Sequence, residues 1–426
     1  MKQITVLTIC ILVLLSCNNS TGQTFLKSNI AEVPIIDSAY IASKTKYFTI
    51  EDDRFKGEAS NAIHQMITES QFIMLGESHG SYETSKLTAT MLPLVKKAGF
   101  NNFAVEVGPY SAKKLMALSS PTDNTVKSMY NFNSKYYFKE LDDTSIPFFH
   151  GVEDARFLEA AAKNDIELWG LDQEYFSSII YQTDDLLNLA KDKPNFEAIQ
   201  QMKLEADKVI RKLFIEDEAS EKGIALFSEM LKEASVQQFF GQFDETDVVA
   251  MEMIEAIKIS WDIYDRWQKG SHADRIRYMR ENFMKNYEAK IKTGETPKIL
   301  AKFGRLHAPK IRSGGCLDVG NLVHELALKN GTICSNVSLL NRYIQEEGVT
   351  NDNMNSKYYK DLKSILTHGK MNEWTFIDLK SIRADIKSGK IKLPKSDDDT
   401  LEKLIEGFDY QIILPLDKYV EPNYKL

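Results

Sequence analysis

The sequence is poor in several features that place many proteins quickly. Its 426 residues carry 53 Lys and Arg against 61 Asp and Glu, a formal net charge of −8. There is no basic excess, which speaks against a nucleic-acid partner. Only four cysteines occur. Cys10 and Cys17 belong to the N-terminal segment, and Cys316 with Cys334 is no disulfide framework; the two read equally as one bridge or as two small buried apolar residues. No apolar run after residue 15 is long enough to cross a bilayer. No proline occurs between Pro194 and Pro297, and no internal repeat is evident. What remains is an ordinary globular mixture, 43% hydrophobic and 27% charged, long enough for one large α/β domain or two smaller ones.

The N-terminus, MKQITVLTICILVLLSCNNSTGQ, places Lys2 before an apolar run at residues 4–15. The run is too short to span a membrane comfortably and reads as the core of a signal peptide. Leu14-Leu15-Ser16-Cys17 resembles a bacterial lipobox, in which Cys17 is lipidated and becomes the mature N-terminus. The alternative is an ordinary cleaved signal. Either way the chain is expected to be exported, with a lipid anchor as its one membrane attachment.

Seven short apolar runs follow: FIMLG (72–76), NNFAVEV (101–107), IELWGLD (166–172), KILAKFG (298–304), TICSNVSLL (332–340), WTFIDL (374–379) and YQIILPL (410–416). A helical stretch at about 82–98 separates the first two, which makes them a parallel β-α-β unit. Helical pattern separates most of the others, so the expected fold is α/β, a mostly parallel central sheet with helices on both faces. The proline-free stretch carries apolar residues at three- and four-residue spacing and reads as helices inserted beside the active face. QEEGVTNDNMN (345–355) reads as a surface loop, and Asp397-Asp398-Asp399 as a solvated helix start. The organisation is therefore a signal segment at 1–17, a linker and first helical segment at 18–60, and an α/β domain at 61–426 with a helical insertion at about 180–295.

In an open parallel sheet, ligands bind beyond the carboxyl ends of the strands. After the first run come Glu77 and His79, two apart in extended chain and so leaving on the same side. After the second comes Glu106, followed by Gly108-Pro109. Asp172 follows the third, and His307 the fourth. A strand that ends in Glu is costly to explain by packing alone, whereas Asp172 serves equally as a helix cap. Of the other histidines, His64, His324 and His368 have no partner in sight, and His150 and His272 are left open.

Gly76-Glu77-Ser78-His79-Gly80 also satisfies the G-x-S-x-G pattern of a nucleophile elbow. It follows the first clear strand with no upstream glycine-rich loop to form an oxyanion hole. Ser78 is accordingly read as a small turn residue helping to start the next helix.

The same residues carry a family likeness. GESHGSYE followed by GFNNFAVEV resembles the opening of the erythromycin esterase family, within the EreA/ChaN-like superfamily. GLDQEY (170–175), RIRYMREN (275–282), GRLHAPK (304–310), WTFIDLK and FDYQIILPL resemble its later segments in order, so the likeness spans nearly the whole mature chain. The resemblance implies an EreA/ChaN-like α/β fold, with catalysis by Glu77, His79, Glu106 and His307. Glu83, Asp172 and Arg305 are expected to bind substrate. The chain departs from the pattern where the family has H-N-x-H, with Gly304 and Arg305 in the first two places, and where Arg280 replaces an Ala. These changes alter the wall of the site and put a macrolide substrate in doubt.

The leading expectation is metal-independent hydrolysis of a small-molecule ester or lactone. His79, oriented by a carboxylate, takes a proton from water, and His307 stabilises the oxyanion or protonates the leaving alkoxide. No cofactor is expected. Two rivals use the same rim: a divalent metal held by Glu77, His79, Glu106 and His307, and haem or iron binding by a ChaN-like lipoprotein.

Overall fold

A computed structural model describes residues 33–119, 124–139, 141–221, 224–396 and 398–425. The signal segment and Cys17 lie outside these residues. Twelve strands form: β1 Thr45–Glu51, β2 Arg54–Lys56, β3 Ser70–Glu77, β4 Asn102–Val105, β5 Glu167–Gly170, β6 Ile299–Gly304, β7 Ile333–Asn341, β8 Tyr343–Glu346, β9 Val349–Asp352, β10 Trp374–Asp378, β11 Tyr410–Leu414 and β12 Asp417–Lys418. Nine make one sheet in the order β2-β1-β10-β11-β7-β3-β6-β4-β5. The six strands from β11 to β5 are parallel to their neighbours, and β10, β1 and β2 extend the edge by antiparallel pairing. The fold is mixed α/β, with a mostly parallel sheet enclosed by helices.

Burial of both faces explains why the central strands read as continuous apolar runs. Along β3, Ile73 and Leu75 enter the core on one side, and Phe72 and Met74 enter the core on the other. Helices Ser60–Glu69, Tyr82–Lys97 and Val152–Lys163 supply the first side; His272–Lys292, Val319–Asn330 and Thr400–Gly407 supply the second. The helix after β3 is specified locally. Ser81 accepts a hydrogen bond from the Thr84 amide, Glu83 lies in the first turn and Lys96 and Lys97 in the last, each complementing the helix dipole. Ser81 is thus the cap, not Ser78.

The insertion is helical as expected. Ile179–Leu189, Phe196–Glu218, Leu226–Lys232, Ala234–Phe240 and Val248–Asp265 enclose a third core around Leu186, Ile210, Phe239 and Trp261.

Two expectations change, and two points left open are settled. Residues 45–56 are not linker but the β1–β2 hairpin, turning at Asp52 and Asp53 with φ of 49° and 55°. The 345–355 segment is not a loop: most of it pairs as β8 and β9 around Glu347 and Gly348, both at positive φ. β3 and β4 are parallel but not adjacent, because β6 lies between them. Cys316 and Cys334 are free thiols.

Candidate active site at the carboxyl edge of the sheet

Five of the seven rim residues named from the sequence converge. β3 runs buried to its last residue, Glu77. Glu77 has the side-chain parity of Ile73 and Leu75, and across the β3–β6 register Leu75 faces Lys302 while Glu77 faces Gly304. Lys302 therefore leaves β6 on the same face as Glu77, and its Nζ lies 2.5 Å from Glu77 Oε1. That oxygen also meets His79 Nδ1 at 3.0 Å.

His79 Nε2 stands 3.5 Å from Glu106 Oε2. Glu106 is held from three sides. The Gly304 amide donates to Oε2 at 2.6 Å, Arg275 donates to Oε1 at 2.9 Å, and His307 Nε2 lies 3.3 Å from Oε1. Arg275 also forms a two-pronged pair with Asp172, and Asp318 meets His307 Nδ1 at 2.8 Å. Gly304 is required here, since a Cβ would stand 2.9 Å from His79 Nε2 and 3.2 Å from Glu106 Oε2. The departure from H-N-x-H thus makes room for the His79–Glu106 approach.

Charge balance sets the protonation states. Burial pushes the Glu77 carboxyl up, but Lys302 and His79 outweigh it and hold the group below the usual range. Burial likewise opposes ionisation of Glu106, yet His307, His79 and Arg275 hold it well below the ordinary value. Burial opposes charge on His307, but hydrogen bonds and charge from Asp318 and Glu106 raise it to about 10. His307 is therefore an imidazolium at neutral pH. With Glu77 anionic and accepting from Nδ1, Nε2 is the His79 nitrogen left without a hydrogen bond, 3.5 Å from Glu106 Oε2.

Exposure separates the roles. The His79 side chain is 30% exposed, against 2% for Glu77, 5% for Glu106 and 7% for His307. His79 is the member of the cluster that solvent and a ligand reach. Phe148 stacks on its ring at 3.7 Å and 14°. Phe148 has φ of +64°, a strained position for a bulky side chain.

The remaining expectations resolve differently. Asp172 is buried and spends its oxygens on Arg275 and the Gln173 amide, so it positions Arg275 instead of facing a substrate. Glu83 stands apart from the cluster, near Asp417, Lys86 and Lys418, and burial pushes its carboxyl up to about 7. Arg305 follows Gly304 but turns to a separate cavity. Ser78 is exposed, and no hydrogen bond joins it to His79.

The charges of the two glutamates are met within the protein. Lys302, Arg275 and His307 already neutralise the two glutamates, and no metal-holding group of three His, Cys, Asp or Glu occurs among the described residues.

Sequence reasoning missed Lys302, Arg275, Asp318 and Phe148. The Lys inside ILAKFG was the available signal for the first. Arg275 lay within a quoted motif, and Asp318 is the N-cap of the helix Val319–Asn330. Phe148 gave none.

No family profile matches the chain, and no curated protein sequence matches it significantly. Solved structures do. A Bacillus cereus protein is 13% identical and matches 90% of this chain and 98% of its own, with a TM-score of 0.55. An erythromycin esterase mutant, EreC in its open conformation, is 15% identical over 85% of this chain and 95% of its own, at 0.50. A succinoglycan biosynthesis protein is 16% identical over 94% and 100%, at 0.53. At these identities the likeness establishes the fold, a mixed α/β architecture shared with these structures, and not the activity.

Proposed function

We propose that the chain hydrolyses a carboxylic ester or lactone with water activated by His79. The observation that carries this reading is a solvent-accessible imidazole whose Nδ1 is engaged by a buried carboxylate that Lys302 keeps ionised. Nε2 takes a proton from water as the water oxygen attacks the carbonyl carbon. The C–O bond to the leaving group then breaks, and the imidazolium returns its proton to the alkoxide. Ester and water become acid and alcohol. Negative charge on the tetrahedral intermediate develops near His307 and Arg275, whose charges are fixed in advance by Asp318, Glu106 and Asp172.

Two other readings find less support. A nucleophilic Ser78 has no base bonded to it. An axial haem ligand needs a free imidazole nitrogen, whereas both nitrogens of His307 face carboxylates. We also propose export with a lipid anchor at Cys17. No helix of the described residues is long and apolar enough to cross a membrane. On the lipid-anchor reading, metabolic labelling with a fatty acid should mark the expressed chain and fail to mark Cys17→Ser. Hydrolysis of a panel of esters and lactones, macrolides included, tests the enzymatic reading, with His79→Asn as the control that must be inactive.

A further inference from the structure

Beside the cluster lies a charge with nothing to balance it. Arg305 is half-buried, and among the described residues its guanidinium has neither an ion-pair partner nor a hydrogen-bond acceptor. Burial depresses its pKa from the ordinary value, because no carboxylate compensates the lost hydration. Its main chain is fixed: Gly76 packs so closely that a Cβ there would lie 3.2 Å from the Arg305 Cα.

The side chain lines a cavity of about 530 Å³ with Arg312, Lys403, Asp399 and Phe408. Lys403 and Asp399 pair with each other at 2.7 Å. Arg312 donates to the Gly315 carbonyl at 2.6 Å and meets no carboxylate. Three cations and one carboxylate therefore face this space in a chain whose net charge is −8. Arg305 is also in electrostatic contact with Tyr359, which lines a second cavity together with Ser78 and His79. The unpaired guanidinium thus borders an open, positively charged space and is linked through Tyr359 to the cavity that His79 lines.

We propose that this cavity is a subsite for an oxyanion, a carboxylate or phosphate carried by the substrate, and that Arg305 is its principal ligand. The inference rests on the hydrolase reading and names its substrate class: an ester or lactone bearing a negative charge a few bonds from the scissile carbonyl. A planar guanidinium with free donors suits two-point binding of such a group. Binding of this kind acts on ground state and transition state alike, so it is read in KM.

The test compares two chromogenic esters of equal acyl length, p-nitrophenyl hemiglutarate and p-nitrophenyl valerate, on the full chain and on Arg305→Gln and Arg305→Lys. Circular dichroism controls for folding. The expected result is at least tenfold higher kcat/KM for the anionic ester. In Arg305→Gln the anionic ester should lose about 10–100-fold, mostly in KM and at least tenfold more than the neutral ester. Arg305→Lys should restore part of that preference. Equal rates on the two esters, or a preference that Arg305→Gln leaves intact, would overturn the proposal. If neither ester is cleaved, the hydrolase reading fails on its own, and titration calorimetry with glutarate decides the site. Heat of binding that disappears in Arg305→Gln retains it; no binding overturns it. Binding of inorganic phosphate without any ester preference would mark a site for free anions and overturn the assignment to substrate.

Discussion

Within residues 302–312 the chain places five cations in two contrasting settings. Lys302 and His307 are buried and Lys310 partly so, and each lies against a carboxylate, Glu77 for the first, Glu106 with Asp318 for the second and Asp409 for the third. Arg305 and Arg312 have no carboxylate against them and border open space. The difference separates apparatus from opening. Desolvated charge that is fully paired is a fixed electrostatic device, whereas an uncompensated one is a place for something to bind.

The comparison breaks most readily at Lys302. Lys302→Met leaves Glu77 buried without its cation, and thermal or denaturant unfolding should register a loss of about 3–5 kcal/mol. The double variant with Glu77→Gln should recover most of that stability. A neutral outcome for the single variant would mean that the pair is not the buried device described.

A pH series sharpens the comparison at His307. Its folded pKa of about 10 lies above the ordinary 6.5. Its contribution to stability is therefore fully present below about 6.5, and it declines as pH rises towards about 10, where the folded form also loses its proton. Asp318→Asn removes the largest of the interactions that raise the pKa and should flatten this decline, as followed by the unfolding midpoint from pH 6 to 10. An unchanged slope would show that Asp318 does not hold the imidazolium.

Phe148→Ala should act more mildly. It removes the ring stacked on His79, and a several-fold fall in kcat is expected. The smallest effects belong to Ser78→Ala and to chelation. Each should leave hydrolysis within about twofold, and a large loss in either would move the chemistry to a serine nucleophile or a metal.

How far the sequence foretold this arrangement depended on the range of the signal. Glu77, Glu106 and His307 were legible because parallel strands deliver their ends to one edge, and because each carboxylate closes an apolar run. His79 was legible by its two-residue spacing from Glu77. Arg275 and Lys302 were not, since their partners are 169 and 225 residues away and pairing at such range leaves no local pattern. The same applies to direction: WTFIDL read as a strand, but its antiparallel placement follows from the β1–β2 hairpin at the edge. That hairpin, and β8–β9, escaped notice because several of their side chains are exposed and their turns use Asp-Asp and Glu-Gly in place of the stronger Asn-Gly. Arg305 was legible as a departure from a motif. Only the fold gave it a physical meaning, that of a charge without a partner.

The most direct test of the account is the rate of ester hydrolysis for the full chain beside His79→Asn. A water-activating imidazole predicts a fall of about 10²–10⁴-fold in the variant, with KM little changed. Activity that survives His79→Asn would contradict the central claim and return the Glu77–His79–Glu106 network to a purely structural role.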